Sequence, residues 1–307
     1  MTQTTFPPAF LLTARNDDQG PFGPIVNGTR VVIFYEYRPN NIAAMIFVCL
    51  FGIVTLAHLI RMFTLRAWFI FPFLLGGILG ETFGYYGRFW SHRDPNNSSP
   101  FILQNVLLLV GIPFLAATVY MSLGRMTVAL RAQELSFLSP RWMTKIYVLI
   151  DIGCIFSQLM GAMMPASGKP EDITKGRTIL IVGLITQIAA LSLFILNTEF
   201  LNRKITQRAR SGTDWQVNHN RFFRTLEGVT LLLIIRSVIR SVEFLQGSDG
   251  FVITHEIFIY LFDATLVSIA MIALLAVHPG ELMVNGKYNK KDYVTCDEEI
   301  GLGTMIR

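Results

Sequence analysis

Charge is scarce in this sequence. Only 15% of its 307 residues are Asp, Glu, Lys or Arg, against 52% hydrophobic, and the mean hydropathy is +0.47. Soluble domains carry about 25% charged residues, so the balance excludes an ordinary water-exposed fold and calls for an integral membrane protein. Cysteine is scarce too. Cys49 and Cys154 fall inside apolar runs and Cys296 near the end of the chain, so no disulfide is expected on an outer face. Catalytic and nucleotide motifs are missing. No Gly-x4-Gly-Lys-Ser/Thr loop occurs, since Gly168-Lys169 is followed by Pro170 and lacks the upstream glycine, which argues against ATP as an energy source. No His-x-x-x-His pair exists, and His255 and His278 are 23 residues apart, about 34 Å along a helix, too far to share one zinc ion. No Gly-x-Ser-x-Gly elbow appears. The expectation is a protein that is not an enzyme and uses no cofactor or metal. Residues 1–39 lack a basic start followed by a long apolar core, so no cleaved signal peptide is expected and the first span directs its own insertion.

What the chain has in abundance is long apolar runs. Seven are about 20 residues long, enough to cross hydrocarbon, at about 40–62, 67–89, 101–123, 143–164, 179–200, 223–245 and 257–277. The expected fold is an all-α integral membrane protein, a seven-transmembrane helix bundle with residues 1–39 outside, the membrane domain over 40–280 and a cytoplasmic tail over 281–307. Orientation follows from the positive-inside rule. With the N-terminus outside, Arg61, Arg66, Arg125, Arg131, Arg141, Lys145, the six basic residues from Arg203 to Arg224, and Lys287, Lys290, Lys291 and Arg307 of the tail lie inside. Inner Lys and Arg then outnumber outer ones sixteen to eight. The acceptors Asn27, Asn96 and Asn97 all fall on segments assigned outside, consistent with glycosylation there. The net charge of +5 therefore describes a basic cytoplasmic face, not a nucleic-acid partner. Residues 1–36 read as an exposed segment without an assigned element, and Pro39 suits the opening turn of the first helix.

The few charges that enter the apolar runs are patterned. Arg236, Arg240 and Glu243 stand at i, i+4 and i+7, as do Glu256, Tyr260 and Asp263 after a short connection and Glu81, Tyr85 and Arg88 in the second run. Each trio occupies one helix face. An arginine at mid-bilayer costs about 2.5–3.5 kcal/mol on insertion scales, so these arginines require carboxylate partners. The simplest arrangement is an ion-pair network, Arg88 and Arg240 with Glu81 and Glu243, that fixes helix packing. Acids outnumber arginines, however: Glu81, Asp151, Glu243, Glu256 and Asp263 against Arg88, Arg236 and Arg240. The surplus points to a cation or proton role, with Asp151 or Asp263 as the coupling group. Gln104 lies near the outer end of the third run, Pro113 kinks it, and Tyr120 follows on the same face. Asp151 and Gln158 share a face of the fourth run, and Gln187 follows Gly183 in the fifth. Gly76, Gly80 and Gly84 have the small-xxx-small spacing of a close helix contact, widened by Gly77 and Gly87. His58 reads as a hydrogen-bonded helix histidine.

In these residues the chain resembles the fungal lipid-translocating exporter family, the seven-helix group founded on yeast aminocholesterol-resistance and sphingoid-base-resistance proteins. The resemblance runs from about Tyr37 to Gly280. It rests on Glu81-x-x-Gly-Tyr-x-x-Arg88, on Gln104 with Pro113, Ala116, Ala117 and Tyr120, and on Asp151 with Gln158 and Gly161. Gly183 with Gln187, Arg236-x-x-x-Arg240-x-x-Glu243, Gly247, Gly250, Glu256, Tyr260, Asp263 and His278-Pro-Gly complete it. After Gly161 the run Ala162-Met163-Met164-Pro165 departs from the glycine-rich pattern of the group. The resemblance implies export or translocation of sphingoid bases, sterol-like or other toxic amphiphiles at the plasma membrane. A seven-helix sensor of lipid homeostasis is the alternative. A rhodopsin-like receptor is disfavoured, because Gly124-Arg125 stands where Asp/Glu-Arg-Tyr is required and the seventh span lacks Asn-Pro-x-x-Tyr. The substrate-binding candidates are Glu81, Tyr85, Arg88, Gln104, Asp151, Gln158, Arg236, Arg240, Glu243, Glu256, Tyr260 and Asp263. The expected partners are membrane lipids or amphiphilic small molecules.

Overall fold

The computed structural model describes residues 22–26, 29–32, 38–93, 97–130, 132–136, 139–164, 170–210, 219–246 and 255–281. Seven long helices dominate the described residues: α1 (Asn41–Thr64), α2 (Trp68–Ser91), α3 (Ser98–Ala129), α4 (Pro140–Met163), α5 (Pro170–Arg210), α6 (His219–Gln246) and α7, which runs as Ile257–Ile259, Tyr260–Ala264 and Thr265–Ala276. Six are long and apolar enough to cross a membrane. The remaining one is α6, whose 28 residues suffice in length but carry Glu227, Arg236, Arg240 and Glu243. It is nonetheless packed among the others, with these four side chains turned inward while Arg221 and Arg224 near its start are exposed. The chain is a multi-pass, seven-helix membrane protein.

Successive helices pack antiparallel, α7 closes back on α1, and α3 runs through the middle, touching α2, α4 and α6. Burial agrees: 72% of the central stretch of α3 is buried, against 28% for α1 and 22% for α4. The outward faces of these peripheral helices carry Ile46, Ile53, Leu56 and Ile60 on α1 and Leu149, Phe156 and Met160 on α4, all exposed. An apolar exterior around a partly polar interior is the arrangement that lipid solvation favours.

Two ends of the bundle are defined by local contacts. At one, Asn40 caps α1, its side chain accepting from the amides of Ile42 and Ala43 at 3.0 and 3.2 Å. Pro39 therefore precedes the cap instead of lying in the first turn, and its carbonyl contacts His92 Nδ1 at 2.6 Å. At the other, Arg61 pairs with Glu281 at 2.8 Å. The tight α1–α2 turn there places Arg66 at φ 50°, the left-handed conformation that ends many helices.

The glycines of α2 do what their spacing predicts. A Cβ on Gly76 would lie 2.8 Å from the Gly111 carbonyl oxygen, one on Gly84 would lie 2.7 Å from Leu108, and Gly80 faces the Gly111 Cα. The α2 and α3 backbones thus meet without side chains between them. Gly161 serves the α4–α5 contact in the same way, its Cβ position lying 2.6 Å from the Gly176 carbonyl oxygen. Two helices contain a π segment, Gly76–Thr82 in α2 and Tyr260–Ala264 in α7. In each, a threonine hydroxyl, Thr82 or Thr265, donates to the carbonyl five residues back at 2.8 Å.

One element was absent from the sequence reading. Phe22–Val26 and Thr29–Val32 pair as an antiparallel hairpin, β1 and β2, with Val26 opposite Thr29. Its signal is the Asn27-Gly28 dipeptide between two β-prone runs, the strongest short-range hairpin pattern. Asn27 itself lies outside the described residues, as do Asn96, Gly247, Gly250 and Cys296. Asn97 is described. It caps α3, its side-chain oxygen accepting from the Ser99 amide at 3.0 Å.

Candidate functional site

Three arginines are buried between α2, α3, α6 and α7, with side chains 1% exposed for Arg88 and Arg236 and 3% for Arg240. Each finds a carboxylate. Arg236 Nε and Arg240 Nη2 both donate to Asp263, the second at 2.9 Å, and the Tyr85 hydroxyl donates to the same carboxylate at 3.2 Å. Arg240 Nη1 reaches both oxygens of Glu243, at 3.2 and 3.0 Å. Arg88 donates to Glu256 at 2.9 Å and to the Tyr260 hydroxyl at 3.1 Å, and makes a long contact with Gln104 at 3.5 Å. Tyr260 in turn donates to Glu256 at 3.0 Å. Glu256 also accepts the Asn40 amide at 2.8 Å, which ties the cluster to the start of α1.

Local sequence explains this convergence. Arg236 and Arg240 share one face of α6, and the connection to α7 returns the chain so that Asp263 lies between them. Arg236 Nη2 in turn donates to the Leu108 carbonyl oxygen at 2.7 Å. That carbonyl neighbours Leu109, whose own helical donor is missing because Pro113 has no N–H. The proline therefore lies where a guanidinium enters the α3 backbone ladder.

The network differs from the simplest one drawn from sequence. Arg240 does pair with Glu243, but Arg88 pairs with Glu256 and not with Glu81. Glu81 is fully buried, and neither of its carboxylate oxygens has a hydrogen-bond partner among the described residues. It sits in the α2 π segment within electrostatic reach of Asp263, Arg236 and Arg240, facing Gly111 of α3. Three arginines are thus matched by Glu243, Glu256 and Asp263, and Glu81 is the additional acid.

Ten of the twelve candidates belong to this assembly: Glu81, Tyr85, Arg88, Gln104, Arg236, Arg240, Glu243, Glu256, Tyr260 and Asp263. Asp151 and Gln158 make their contacts elsewhere. Gln158 Nε2 donates to Gln187 Oε1 at 2.9 Å across the α4–α5 interface. Asp151 is buried against Tyr120, whose hydroxyl is its polar neighbour.

Sequence reasoning missed the aromatic wall beside the charges. Phe47 stacks on Tyr260 with centroids 5.5 Å apart and lies 5.6 Å from Tyr85, and Phe51 stacks on Tyr85 at 5.6 Å. A phenylalanine inside an apolar span carries no signal separating a site wall from a lipid-facing ring. One helical turn from the charges, Phe73, Leu115, Val119, Val229, Leu233, Val267, Ala270 and Leu274 line a narrow apolar gap, too tight to hold a water molecule. Val267 lies four residues beyond Asp263, Leu233 three before Arg236 and Leu115 four beyond Gly111. A charged end and an apolar end therefore share one seam of the bundle.

A seven-helix membrane protein with a charge-matched cluster in its core is the class these features define. Residues 73–286 match the family model described as RTA1 like protein, and the chain belongs to that family. Among its relatives in Saccharomyces cerevisiae, protoporphyrin uptake protein 1 is 30% identical over 277 residues, covering 78% of this chain and 90% of the relative. Protein RTM1 is 32% identical over 231 residues, 72% of each chain. The sphingoid long-chain base transporter RSB1 is 24% identical over 277 residues, covering 79% and 72%. No solved structure matches the chain.

Proposed function

We propose that this protein moves lipid-like amphiphiles across a membrane, as a carrier that is neither an enzyme nor driven by ATP. The observation that carries the reading is the seam itself: a buried cluster of paired charges and tyrosines continuing, within one turn, into an apolar gap. An amphiphile has that same division. Its ammonium suits Glu81 and the aromatic wall, its phosphate or hydroxyls suit the arginines, and its chain suits the gap. The relatives named for sphingoid-base transport and protoporphyrin uptake support cargo of this general kind. The gap is too tight even for a water molecule, so a chain enters only when the helices part.

The positive-inside count orients the Asn40 end outward and the Arg61 end toward the cytoplasm, which places the cluster nearer the outer face. The plasma membrane is the proposed location, and Asn27, Asn96 and Asn97 are the proposed glycan acceptors. The test is movement of a labelled sphingoid base across vesicles containing the purified protein, with a Glu243→Gln variant and empty vesicles beside it. Movement above the empty control, reduced in a folded variant, supports translocation through the cluster. Binding of the base without movement supports the sensor reading instead.

A further inference from the structure

Between Glu81 and the Arg61 end lies a row of buried polar atoms without hydrogen-bond partners among the described residues: Thr55 Oγ1, His58 Nδ1 and His278 Nε2. Their neighbours fix their hydrogen-bonding roles. His58 Nε2 contacts the Met271 carbonyl oxygen at 2.9 Å and must donate to it, which leaves Nδ1 as an acceptor in the neutral ring. His278 Nδ1 accepts the Gly280 amide at 3.1 Å, which leaves Nε2 carrying the hydrogen. One free acceptor and one free donor thus belong to rings whose centroids are 6.1 Å apart. A direct N–H···N bond of about 3 Å would bring the rings closer than that, so the spacing suits a bridging water. A shared metal does not fit, because His278 Nε2 would have to lose its hydrogen while Nδ1 already receives one from Gly280.

Thr55 stands one turn before His58 on α1. Gly77 packs against both Thr55 and Met271, with its Cβ position 2.9 Å from the Met271 methyl, and opens the π turn that ends beside Glu81. Gly77 stands four residues before Glu81 on α2, so the row leads from the Arg61 end of the bundle toward the acid that the arginines leave unmatched.

We infer that His58, steadied by His278, exchanges protons between the cytoplasmic face and Glu81, making movement of the cargo proton-linked. This rests on the translocation reading. His58 Nδ1 takes the proton of a hydronium ion from the cytoplasmic side, leaving neutral water and becoming an imidazolium whose two N–H groups donate to Met271 and to the bridging water. It returns to neutral when that proton passes by way of the Thr55 hydroxyl and water to the Glu81 carboxylate, which becomes a carboxylic acid. The charged groups around the histidines are Arg61 and Glu281, paired with each other at 2.8 Å, while α2 and α7 present Phe73 and Met271. Around Glu81 they are Arg236, Arg240 and Asp263, with Tyr85 on the same helix. The role moves from Asp263, which already accepts from three donors, and from Asp151, which lies outside this row.

The experiment uses the full chain in vesicles with an entrapped pH dye, following a labelled sphingoid base with and without an imposed pH gradient. The wild type is expected to carry protons and to move the base faster with the gradient. His58→Gln is expected to retain gradient-free movement while losing both the gradient response and the proton flux. Should His58→Gln not fold, His278→Gln gives the same readout. A folded variant with an unchanged gradient response overturns the relay, as does a wild type that moves the base without proton flux, which leaves translocation standing. Proton flux that depends on His58 without any movement of the base upholds the relay and removes the translocation reading.

Discussion

Neutralising Asp263 and neutralising Glu81 remove the same charge from the same cluster, yet the structure separates their consequences. Asp263 accepts from Arg236, Arg240 and Tyr85. In Asp263→Asn the amide keeps one acceptor oxygen and turns a donor toward two guanidinium groups, so Arg236 loses the carboxylate it is bonded to and Arg240 keeps only Glu243. Breaking a buried ion pair by removing one partner costs about 3–5 kcal/mol, and two pairs share this carboxylate, so the upper part of that range is expected. Glu81→Gln breaks no hydrogen bond among the described residues, and its cost is expected below about 1 kcal/mol, the net worth of one such bond. The assay is thermal loss of the monodisperse peak of detergent-purified protein on size exclusion. Asp263→Asn should aggregate at markedly lower temperature, Glu81→Gln should follow the wild type, and adding Arg240→Met to Asp263→Asn should restore part of the loss. Equal tolerance of both single substitutions, or a fall in Glu81→Gln as deep as in Asp263→Asn, would refute the charge-matching account.

Gly80→Leu should destabilise the bundle by at least the 1–3 kcal/mol typical of overpacking, since its side chain meets the Gly111 backbone, whereas Gly153→Ala, with open space around it, should melt like the wild type. Gln158→Leu alone should lower the melting temperature by stranding the Gln187 amide, and Gln158→Leu with Gln187→Leu should recover most of it. Leu233→Trp, projecting into the apolar gap, should slow long-chain cargo more than short-chain cargo in the vesicle assay, and equal slowing of both would detach the gap from the pathway.

How much of this was legible beforehand depended on the kind of signal. The seven helices follow from apolar run length, and the i, i+4, i+7 spacing puts Arg236 with Arg240 on one helix face and Asp263 on another, each needing an opposite charge inside hydrocarbon. The glycine contacts of α2 follow from spacing as well. Partner choice was not legible: Asp263, read as a surplus acid, takes both Arg236 and Arg240, and Arg88 takes Glu256, because the way α7 lies against α2 and α6 decides both. Nor was the separation of Asp151 and Gln158 from the main cluster, since a shared helix face does not say which neighbour it meets. His58 read correctly as hydrogen-bonded, but its partnership with His278 joins residues 220 positions apart that no local pattern connects.

The two π turns have a consequence for how the helices are wound. A π turn holds one residue more than the α turn it replaces, so it absorbs the rotation of about 100° that one extra residue would otherwise give to the rest of an α-helix. A substitution that let Gly76–Thr82 tighten into α-helix at unchanged chain length would therefore turn Tyr85 and Arg88 away from Asp263 and Glu256 although neither had been changed. In these two turns the winding of the backbone, as much as any side chain, aims the cluster.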